Sequence, residues 1–342
     1  MKTALITTTI NVPTVLSLYR AIAPRSSRGV DPDVRFFVAC DKKTPVEARD
    51  FCCRLDNCLV YSSEQQDELG YSCSSLIGWN TIARRNIALL EALKWGADVI
   101  VSIDDDNMSL GADYFGSFVE TLGAPFDGIK LSTKWFDPAS LAFPRVVQRG
   151  FPQHAPRCET KRVPVINAKI GVAQGMILGD PDTSAIDRIS QHPEVHQVSE
   201  LLRAGIVTDP RECYAPLNSQ NIAFVRELAP CFLMVPSYGR YDDIYSSLVA
   251  QRVMRERGYH VHYGQPFAWQ QRNQHDLLKD LRAEQFGAEH IIEFASWLDG
   301  FLGQTDVIGF LRVMATNLPK FIPSGTQELW LAWLSDCEAV MK

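Results

Sequence analysis

Residues 1–135 alternate short apolar runs with stretches of helical periodicity. The apolar runs are rich in β-branched and aromatic residues with little polar alternation, which is typical of strands buried on both faces of a sheet. The predicted strands are residues 4–10, 34–40, 58–62, 98–103 and 128–132. Residues 80–95 repeat apolar positions at helical spacing, and Gly96 follows where a helix would end. This order predicts a mostly parallel sheet flanked by helices.

The rest of the chain has a different pattern. Residues 137–216 are rich in proline, arginine and polar residues, and we expect loops and short elements there. Residues 242–257 begin with acidic and end with basic side chains, as the helix dipole favours, and are predicted as a helix. From Asp276 onward, helical patterns are broken at glycine and proline. We therefore predict an α/β domain over residues 1–275 and a helical C-terminal extension over residues 276–342.

Composition narrows the classes of function. The chain has 342 residues, 46% of them hydrophobic, which is enough for a large buried core. Its net charge of −6 argues against nucleic acid or an anionic membrane as the main partner. No apolar run approaches the ~20 residues of a membrane span, and the N-terminus lacks a signal-peptide pattern. Nine cysteines without metal-like spacing are expected to be reduced thiols, which predicts a cytoplasmic protein.

The most informative segment is the end of the fourth predicted strand, where Asp104, Asp105, Asp106 and Asn107 follow an apolar run. Ligands of open α/β sheets bind at the carboxyl ends of strands. Three adjacent carboxylates repel one another unless cations or donors compensate them, and Mg²⁺ or Mn²⁺ bridging them to a diphosphate would do so. The alternatives are a solvated acidic turn and a metal-dependent phosphohydrolase, although the seven histidines form no matching ligand set.

This strand and acidic triplet resemble the DXD motif of glycosyltransferases with the GT-A fold, which hold a nucleotide-sugar diphosphate through Mn²⁺ or Mg²⁺. Residues 5–13, 41–45, 84–87 and 103–107 resemble, in that order, the start of STELLO-type glycosyltransferase-like domains. Residues 149–152, 218–226, 239–243 and 264–269 resemble the UDP-arabinopyranose mutases, also called reversibly glycosylated polypeptides. The likeness covers residues 4–282 and implies a GT-A-like, Rossmann-like catalytic domain that binds a nucleotide sugar.

In such folds the end of the first strand and the following loop receive the nucleoside. Thr8, Thr9 and Asn11 would offer hydroxyl and amide groups to the base and ribose, although β-propensity explains the threonines equally well. Asp41, at the end of the second strand, would accept from a base N–H.

Two consecutive arginines are candidates for the diphosphate. Arg84 and Arg85 lie off the apolar stripe of their helix, so at least one could bind a diphosphate bidentately, and solvated helix arginines are the alternative. The resemblance implies that Asp104 contacts the ribose, that Asp105 lies near the donor sugar and that Asp106 binds the metal ion.

Arg149 matches the arginine that becomes reversibly glycosylated in the mutase family. We predict that it contacts the diphosphate or donor sugar as a cation, with self-glycosylation as a more specific alternative. A loop arginine paired with an acidic residue is the plainer alternative. The family's second arginine corresponds to Arg157 only with a one-residue offset.

Asp242 and Asp243 stand at the start of the predicted helix over residues 242–257. Either could simply cap it, but the resemblance makes them candidates for binding sugar hydroxyls, and either could be the general base. Trp269-Gln270 stands where the mutase pattern has Trp-His, and many GT-A enzymes use a late histidine as a metal ligand. His275 is the candidate that would replace it.

The resulting hypothesis is a glycosyltransferase that depends on Mn²⁺ or Mg²⁺. It would transfer a sugar from a nucleoside diphosphate donor, with UDP as the expected nucleotide, to an acceptor hydroxyl of a small molecule or glycan. The alternatives are a nucleotide-sugar mutase and a non-catalytic nucleotide-sugar-binding scaffold. We expect no nucleic-acid partner and no membrane span. The helical tail is expected either to cover the acceptor site or to mediate homo-oligomer formation.

Overall fold

The computed structural model describes residues 1–23, 33–154, 159–191, 194–272, 276–301 and 306–342. The strands in these ranges are β1 (Lys2–Thr9), β2 (Asp33–Cys40), β3 (Cys58–Tyr61), β4 (Val99–Ile103), β5 (Asn107–Ser109), β6 (Phe126–Ser132), β7 (Ala142–Phe143), β8 (Lys161–Gly179), β9 (Gln197–Val198), β10 (Ile206–Thr208), β11 (Asn221–Val225) and β12 (Tyr259–Gln270). The α-helices are α1 (Leu16–Ile22), α2 (Val46–Cys53), α3 (Ser63–Glu68), α4 (Ser72–Ile77), α5 (Arg85–Trp95), α6 (Tyr114–Gly123), α7 (Ala185–Gln191), α8 (Glu200–Ala204), α9 (Asp242–Arg257), α10 (Leu277–Asp299), α11 (Val307–Thr316) and α12 (Thr326–Met341). Four 3₁₀ segments cover Ile82–Arg84, Pro138–Leu141, Arg226–Cys231 and Pro236–Tyr241.

One sheet runs through the described residues in the order β3-β2-β1-β4-β11-β8-β6-β10-β12-β5. Strands β1 to β4 pair in parallel, whereas β11 is antiparallel to both of its neighbours, β4 and β8. Beyond β11 parallel and antiparallel pairs are mixed. The predicted α/β class, with a central sheet flanked by helices, is confirmed. Uniformly parallel pairing is limited to the half of the sheet built by the first four strands.

Alternate residues of the central strands pack on opposite faces of the sheet. In β1, Ala4 and Ile6 belong to the core that includes α5, while Leu5 belongs to the core that includes α1 and α6. All three are at most 2% exposed. Each large apolar side chain buried in this way contributes roughly 1.5–3 kcal/mol. Burial on both faces explains why the strands are continuous apolar runs.

The predicted strands and the helix over residues 242–257 are present, and the predicted helix over residues 80–95 begins as a 3₁₀ turn before α5. The interpretation of residues 137–216 was wrong, because this region contains the 19-residue strand β8. The first part of β8 is mostly exposed and includes Pro164, whereas its second part is buried among β11 and β12. Polar residues and proline therefore masked the strand pattern.

The C-terminal helices pack onto the α/β part of the chain. Helix α10 lies against α9 and α7, and α12 lies against α4 and α5. Trp330 and Trp333 of α12 are buried, and the indole of Trp333 donates to the carbonyl of Pro230 at 2.8 Å. The division into domains at residue 275 stays a prediction. No helix in the described ranges is long and apolar enough to cross a membrane.

Candidate active site

The acidic triplet lies where β4 ends and β11 begins. Every residue of β4 is buried, and the half-buried residues Asp104, Asp105 and Asp106 follow it directly. The backbone N–H of Asp104 donates to the carbonyl of Gln220, which precedes β11, at 3.2 Å. Because β11 is antiparallel to β4, the residues before it lie beside the triplet. The triplet therefore occupies the carboxyl end of a buried strand, as predicted.

The first two carboxylates of the triplet accept hydrogen bonds from three separate parts of the chain. Asp104 accepts from Arg85 Nη2 at 2.6 Å and from Gln220 Nε2 at 3.0 Å. Asp105 accepts from the hydroxyl of Thr9 at the end of β1. These contacts show that the segment is not a solvated turn. They also bring Arg85 and Thr9, two of the predicted donor-site residues, to the triplet.

Asp106 faces a glutamine at the end of β12. Both Asp106 oxygens lie 3.2 Å from Gln270 Nε2, and the oxygen of that amide accepts from Arg272 Nη2 at 3.3 Å. Burial, followed by the charge of Asp104, raises the pKa of Asp106 to about 6. Burial also raises the pKa of Asp105. The triplet thus carries more negative charge than the surrounding donors compensate.

A second pair of carboxylates lies at the start of α9, where Asp242 is 5% exposed and Asp243 is 6% exposed. Asp243 accepts from Nη1 and Nη2 of Arg149 at 3.0 and 3.1 Å, and from the backbone N–H and hydroxyl of Ser219. Asp242 accepts from the backbone N–H of Asp243 at 2.9 Å. Burial, followed by the charge of Asp243, raises the pKa of Asp242 to about 7. The guanidinium of Arg149 therefore holds the carboxylate of Asp243, while the carboxyl of Asp242 can exchange a proton near neutral pH.

Arg149 lies between two buried carboxylates. Gly150 follows it with a φ of +89°, and a Cβ there would come within 2.6 Å of Ile244, so glycine allows this close approach to α9. Arg149 Nε and Nη2 contact Asp182 at 2.8 and 2.5 Å, in addition to the contacts with Asp243. Burial alone would lower the pKa of Arg149, but the two carboxylates raise it well above its usual value. The structure therefore shows Arg149 paired with acidic residues, which is the plainer of the alternatives given above for this arginine.

Asp182 connects this pair back to the triplet. It also lies 3.3 Å from Arg240 Nη2 and 3.6 Å from Arg272 Nη2, and these arginines outweigh its burial and hold its pKa well below the usual range. Arg85 Nη1 donates to the carbonyl of Ser219 at 3.1 Å. The contacts therefore form a continuous path through Asp104, Arg85, Ser219, Asp243, Arg149, Asp182, Arg272, Gln270 and Asp106. Because the path begins and ends in the triplet, we call it the charged ring.

Other predicted donor-site residues lie outside the charged ring. Arg84 is fully buried, donates to a buried glutamine and to backbone carbonyls, and stacks on Trp79 at 3.9 Å from the ring centroid. The carboxylate of Asp41 accepts hydrogen bonds from three backbone N–H groups and stabilises the loop before α5. The hydroxyl of Thr8 donates to a carbonyl of β2 at 2.7 Å, and Asn11 is exposed. Of the two adjacent arginines, only Arg85 contacts the triplet.

Sequence reasoning missed Asp182, Gln220 and Arg272. A signal for Asp182 was present, because residues 179–182 read Gly-Asp-Pro-Asp after an apolar run. Gly179 has a φ of +80°, and a Cβ there would lie 2.4 Å from the carbonyl oxygen of Gln270. Glycine therefore lets the end of β8 lie directly against the end of β12 and places Asp182 in the charged ring.

A metal ion at the triplet would have few protein ligands among the described residues. No group of three or more His, Cys, Asp or Glu side chains among them could hold one. The donors that already bond the triplet include the amide N–H₂ of Gln270, which faces Asp106 where an ion would need a further oxygen ligand. The predicted ligand His275 and the family-matched Arg157 lie outside the described residues. The Mn²⁺ or Mg²⁺ cofactor stays a prediction.

No protein-family model and no curated protein matches the chain, so the resemblance to STELLO-type domains and to the mutases stays a prediction.

Among solved structures, glucosyl-3-phosphoglycerate synthase from Mycobacterium tuberculosis, in complex with Mn²⁺, UDP-glucose and glycerol 3-phosphate, is 13% identical. That match covers 89% of this chain and 82% of the synthase, with a TM-score of 0.41. The mannosyltransferase PcManGT from Pyrobaculum calidifontis, in complex with GDP-Man and Mn²⁺, is also 13% identical, over 97% and 85% of the two chains, with a TM-score of 0.41. Residues 1–349 of S. aureus TarS, in complex with UDP-GlcNAc, are 10% identical; the match covers 100% of this chain and 90% of that fragment, with a TM-score of 0.39. Similarity this low carries no argument about the activity of this chain.

Proposed function

We propose that the protein transfers a sugar from a nucleoside diphosphate sugar to an acceptor hydroxyl. The observation that carries the proposal is the charged ring, which joins the triplet at the end of β4 to the carboxylate pair at the start of α9. Arg85 bonds the triplet, Ser219 bonds the pair, and the two residues bond each other, so a donor held at the triplet would have a buried carboxyl nearby. The nucleotide is expected to be UDP, as the sequence resemblance implies.

Three side chains have separate roles in this proposal. The guanidinium of Arg85 would bind the diphosphate and stabilise the negative charge that develops on it as the sugar leaves. Asp242 would take the proton from the acceptor hydroxyl, because its pKa of about 7 suits a general base at neutral pH. Asp243 would position the acceptor side of the site, since Arg149 and Ser219 hold its carboxylate in place.

Glycosylation of Arg149 itself is disfavoured by its surroundings. A guanidine must lose its proton to act as a nucleophile, and the raised pKa of Arg149 opposes this loss. Its side chain is also only 7% exposed between Asp182 and Asp243. We therefore propose that Arg149 is a positioning residue for the two carboxylates, and prefer transfer to the mutase alternative.

A screen of nucleotide sugars, analysed by mass spectrometry for small products and protein adducts, tests the proposal. We expect turnover or slow hydrolysis of a UDP-sugar by the wild type. Asp242→Asn should reduce turnover by about 10²–10⁴-fold while UDP binding persists. Asp50→Asn, an exposed aspartate on α2, is the matched control and should retain full activity.

The other outcomes separate the alternatives. A new ring form of the donor sugar without transfer would favour the mutase. Binding of UDP without any turnover would favour the scaffold. Full activity of Asp242→Asn would contradict the role assigned to its carboxyl.

A further inference from the structure

Four buried polar atoms around the triplet have no hydrogen-bond partner among the described residues. They are Arg85 Nε, Asn107 Oδ1, Gln220 Oε1 and Arg272 Nε. Buried polar groups are nearly always hydrogen-bonded, because leaving one unsatisfied is costly. Arg85 and Gln220 bond Asp104, Asn107 directly follows the triplet, and Arg272 reaches Asp106 through Gln270. The two guanidinium N–H groups are donors that an anion could satisfy, whereas the two amide oxygens need a hydrogen-bond donor. Arg85 Nε and Arg272 Nε are therefore the atoms that indicate a place for an anionic ligand beside the triplet.

Arg272 holds the amide of Gln270 in one orientation. Arg272 Nη2 donates to the amide oxygen of Gln270, so the amide N–H₂ must face Asp106. If the amide turned over to offer its oxygen to a cation, its N–H₂ would face the guanidinium, donor against donor. On this side Asp106 therefore faces a hydrogen-bond donor, with the Arg272 guanidinium behind it, and no oxygen ligand for an ion from the described residues.

Asp182 leaves the charge of Arg272 incompletely balanced. The Arg272 side chain is 6% exposed, and its distance to Asp182 is 3.6 Å, which is longer than a hydrogen bond. Asp182 is contacted more closely by Arg149 at 2.5 Å and by Arg240 at 3.3 Å. Arg149 and Arg240 have further acidic partners, Asp243 for the former and Glu284 for the latter, whereas the ion pair of Arg272 with Asp182 is the longest that Asp182 makes with these three arginines. Arg272 is therefore the guanidinium that Asp182 neutralises least, and its Nε–H has no partner among the described residues.

We infer that Arg272 binds a phosphate of the donor, and that its positive charge, with the amide N–H₂ of Gln270 as hydrogen-bond donor to Asp106, takes the place of a resident divalent ion. This inference rests on the proposed function, since it assumes a diphosphate at the triplet. A phosphate approaching the triplet meets three carboxylates, and Arg85 and Arg272 are the guanidinium groups that the described chain places around them. A phosphate oxygen would satisfy the Nε–H of Arg272 with a charge-assisted hydrogen bond.

The test measures binding of inorganic pyrophosphate, UDP and GDP by calorimetry, in EDTA and in Mg²⁺ or Mn²⁺. The wild type should bind in EDTA within about three-fold of its affinity in the metal buffers. Arg272→Met should weaken binding by about ten- to hundred-fold, the range expected for one hydrogen bond to a charged group, and Arg272→Lys by less. Arg240→Met is the matched control, because Arg240 also contacts Asp182 but not Gln270, and it should change binding by less than about three-fold.

Two results would overturn the inference while leaving the proposed function intact. One is nucleotide binding that is lost in EDTA and restored by Mn²⁺. The other is full binding by folded Arg272→Met. If the folded wild type binds neither nucleotide nor pyrophosphate in any buffer, the proposed function fails and the inference fails with it.

Gln270→Glu provides a readout that a purely structural role would not affect. A second carboxylate facing Asp106 should repel pyrophosphate, so we expect affinity in EDTA to fall by about ten-fold or more. Two facing carboxylates are also suitable oxygen ligands, so Mg²⁺ should restore binding to this variant and have little effect on the wild type. If Mg²⁺ gave the wild type and Gln270→Glu the same increase, the role assigned to the amide would be wrong.

Discussion

Replacing Arg149 with methionine should strongly destabilise the protein, because two buried carboxylates would lose their cation. Arg149 is 6% exposed and contacts Asp182 and Asp243 at distances of 2.5–3.1 Å. Removing one partner from such a buried pair costs about 3–5 kcal/mol. Unfolding entropy is about 2.1 cal/mol/K per residue, so 342 residues give about 0.7 kcal/mol/K. The melting temperature should therefore fall by about 4–7 °C.

Urea unfolding at neutral pH, followed by circular dichroism, measures this cost. Arg162→Met, which removes an exposed arginine of β8, is the control and should change the free energy of unfolding by less than about 0.5 kcal/mol. Adding Asp243→Asn to Arg149→Met should recover part of the lost free energy of unfolding, because one of the two unpaired buried carboxylates is then removed. A loss below about 1 kcal/mol for Arg149→Met alone would refute the reasoning, since the carboxylates would then not depend on this cation.

Three further predictions concern pH, charge and packing. Because Asp242 must be ionised to act as a base, kcat/KM should rise through its pKa of about 7 and level off above it, and a flat profile between pH 6 and 8 would contradict this role. The pKa of Asp106 in the folded protein, about 6, lies above its ordinary value of 3.8, so ionisation of Asp106 costs stability as pH rises through this range. Asp106→Asn should therefore stabilise the protein by about 1–2 kcal/mol at pH 8 and by less at pH 5, measured by urea unfolding. Gly287→Ala should lower the free energy of unfolding by about 1–3 kcal/mol despite its better helix propensity, because the new Cβ would lie 1.9 Å from Tyr241 Cγ, and an unchanged melting temperature would show that α10 does not pack closely there.

The parts of the fold and site that could be predicted have local signals in the sequence. An apolar run that stops at Asp104, Asp105 and Asp106 indicates both a buried strand and polar groups at its end. Asp242 and Asp243 could be assigned to the start of a helix for a similar reason, because the helix dipole favours acidic residues there. In both cases, the same few residues determine the helix or strand and the acidic side chains at its end.

The remaining contacts depend on which strands become neighbours. Gln270 is 164 positions from Asp106, and they meet because β12 pairs with β5 in a register that places Gln270 opposite Asn107. Asp182 enters the site only because the long strand β8 ends beside β12. Strand order and register follow from packing of the whole sheet, so no short segment of sequence contains them.

The adjacent arginines show the same limit on a smaller scale. The chain changes from a 3₁₀ turn to α-helix between Arg84 and Arg85, and the two side chains diverge. Arg84 becomes part of the buried structure next to Trp79, while Arg85 reaches Asp104. Helical spacing showed that both lie off the apolar stripe, but it did not show which of them would face the triplet.

The distribution of charge within the ring separates its scaffold from its ligand-binding part. Arg149, Asp182 and Asp243 are paired at short distances, and this part holds the start of α9 in place. Asp105 and Asp106 are not compensated in this way, since burial raises the pKa of both. A purely structural network would gain stability by pairing or removing these charges. Retaining them half-buried, beside unsatisfied donors, is instead typical of a site for a charged ligand, and this contrast supports our proposal that the donor binds at the triplet rather than at Arg149.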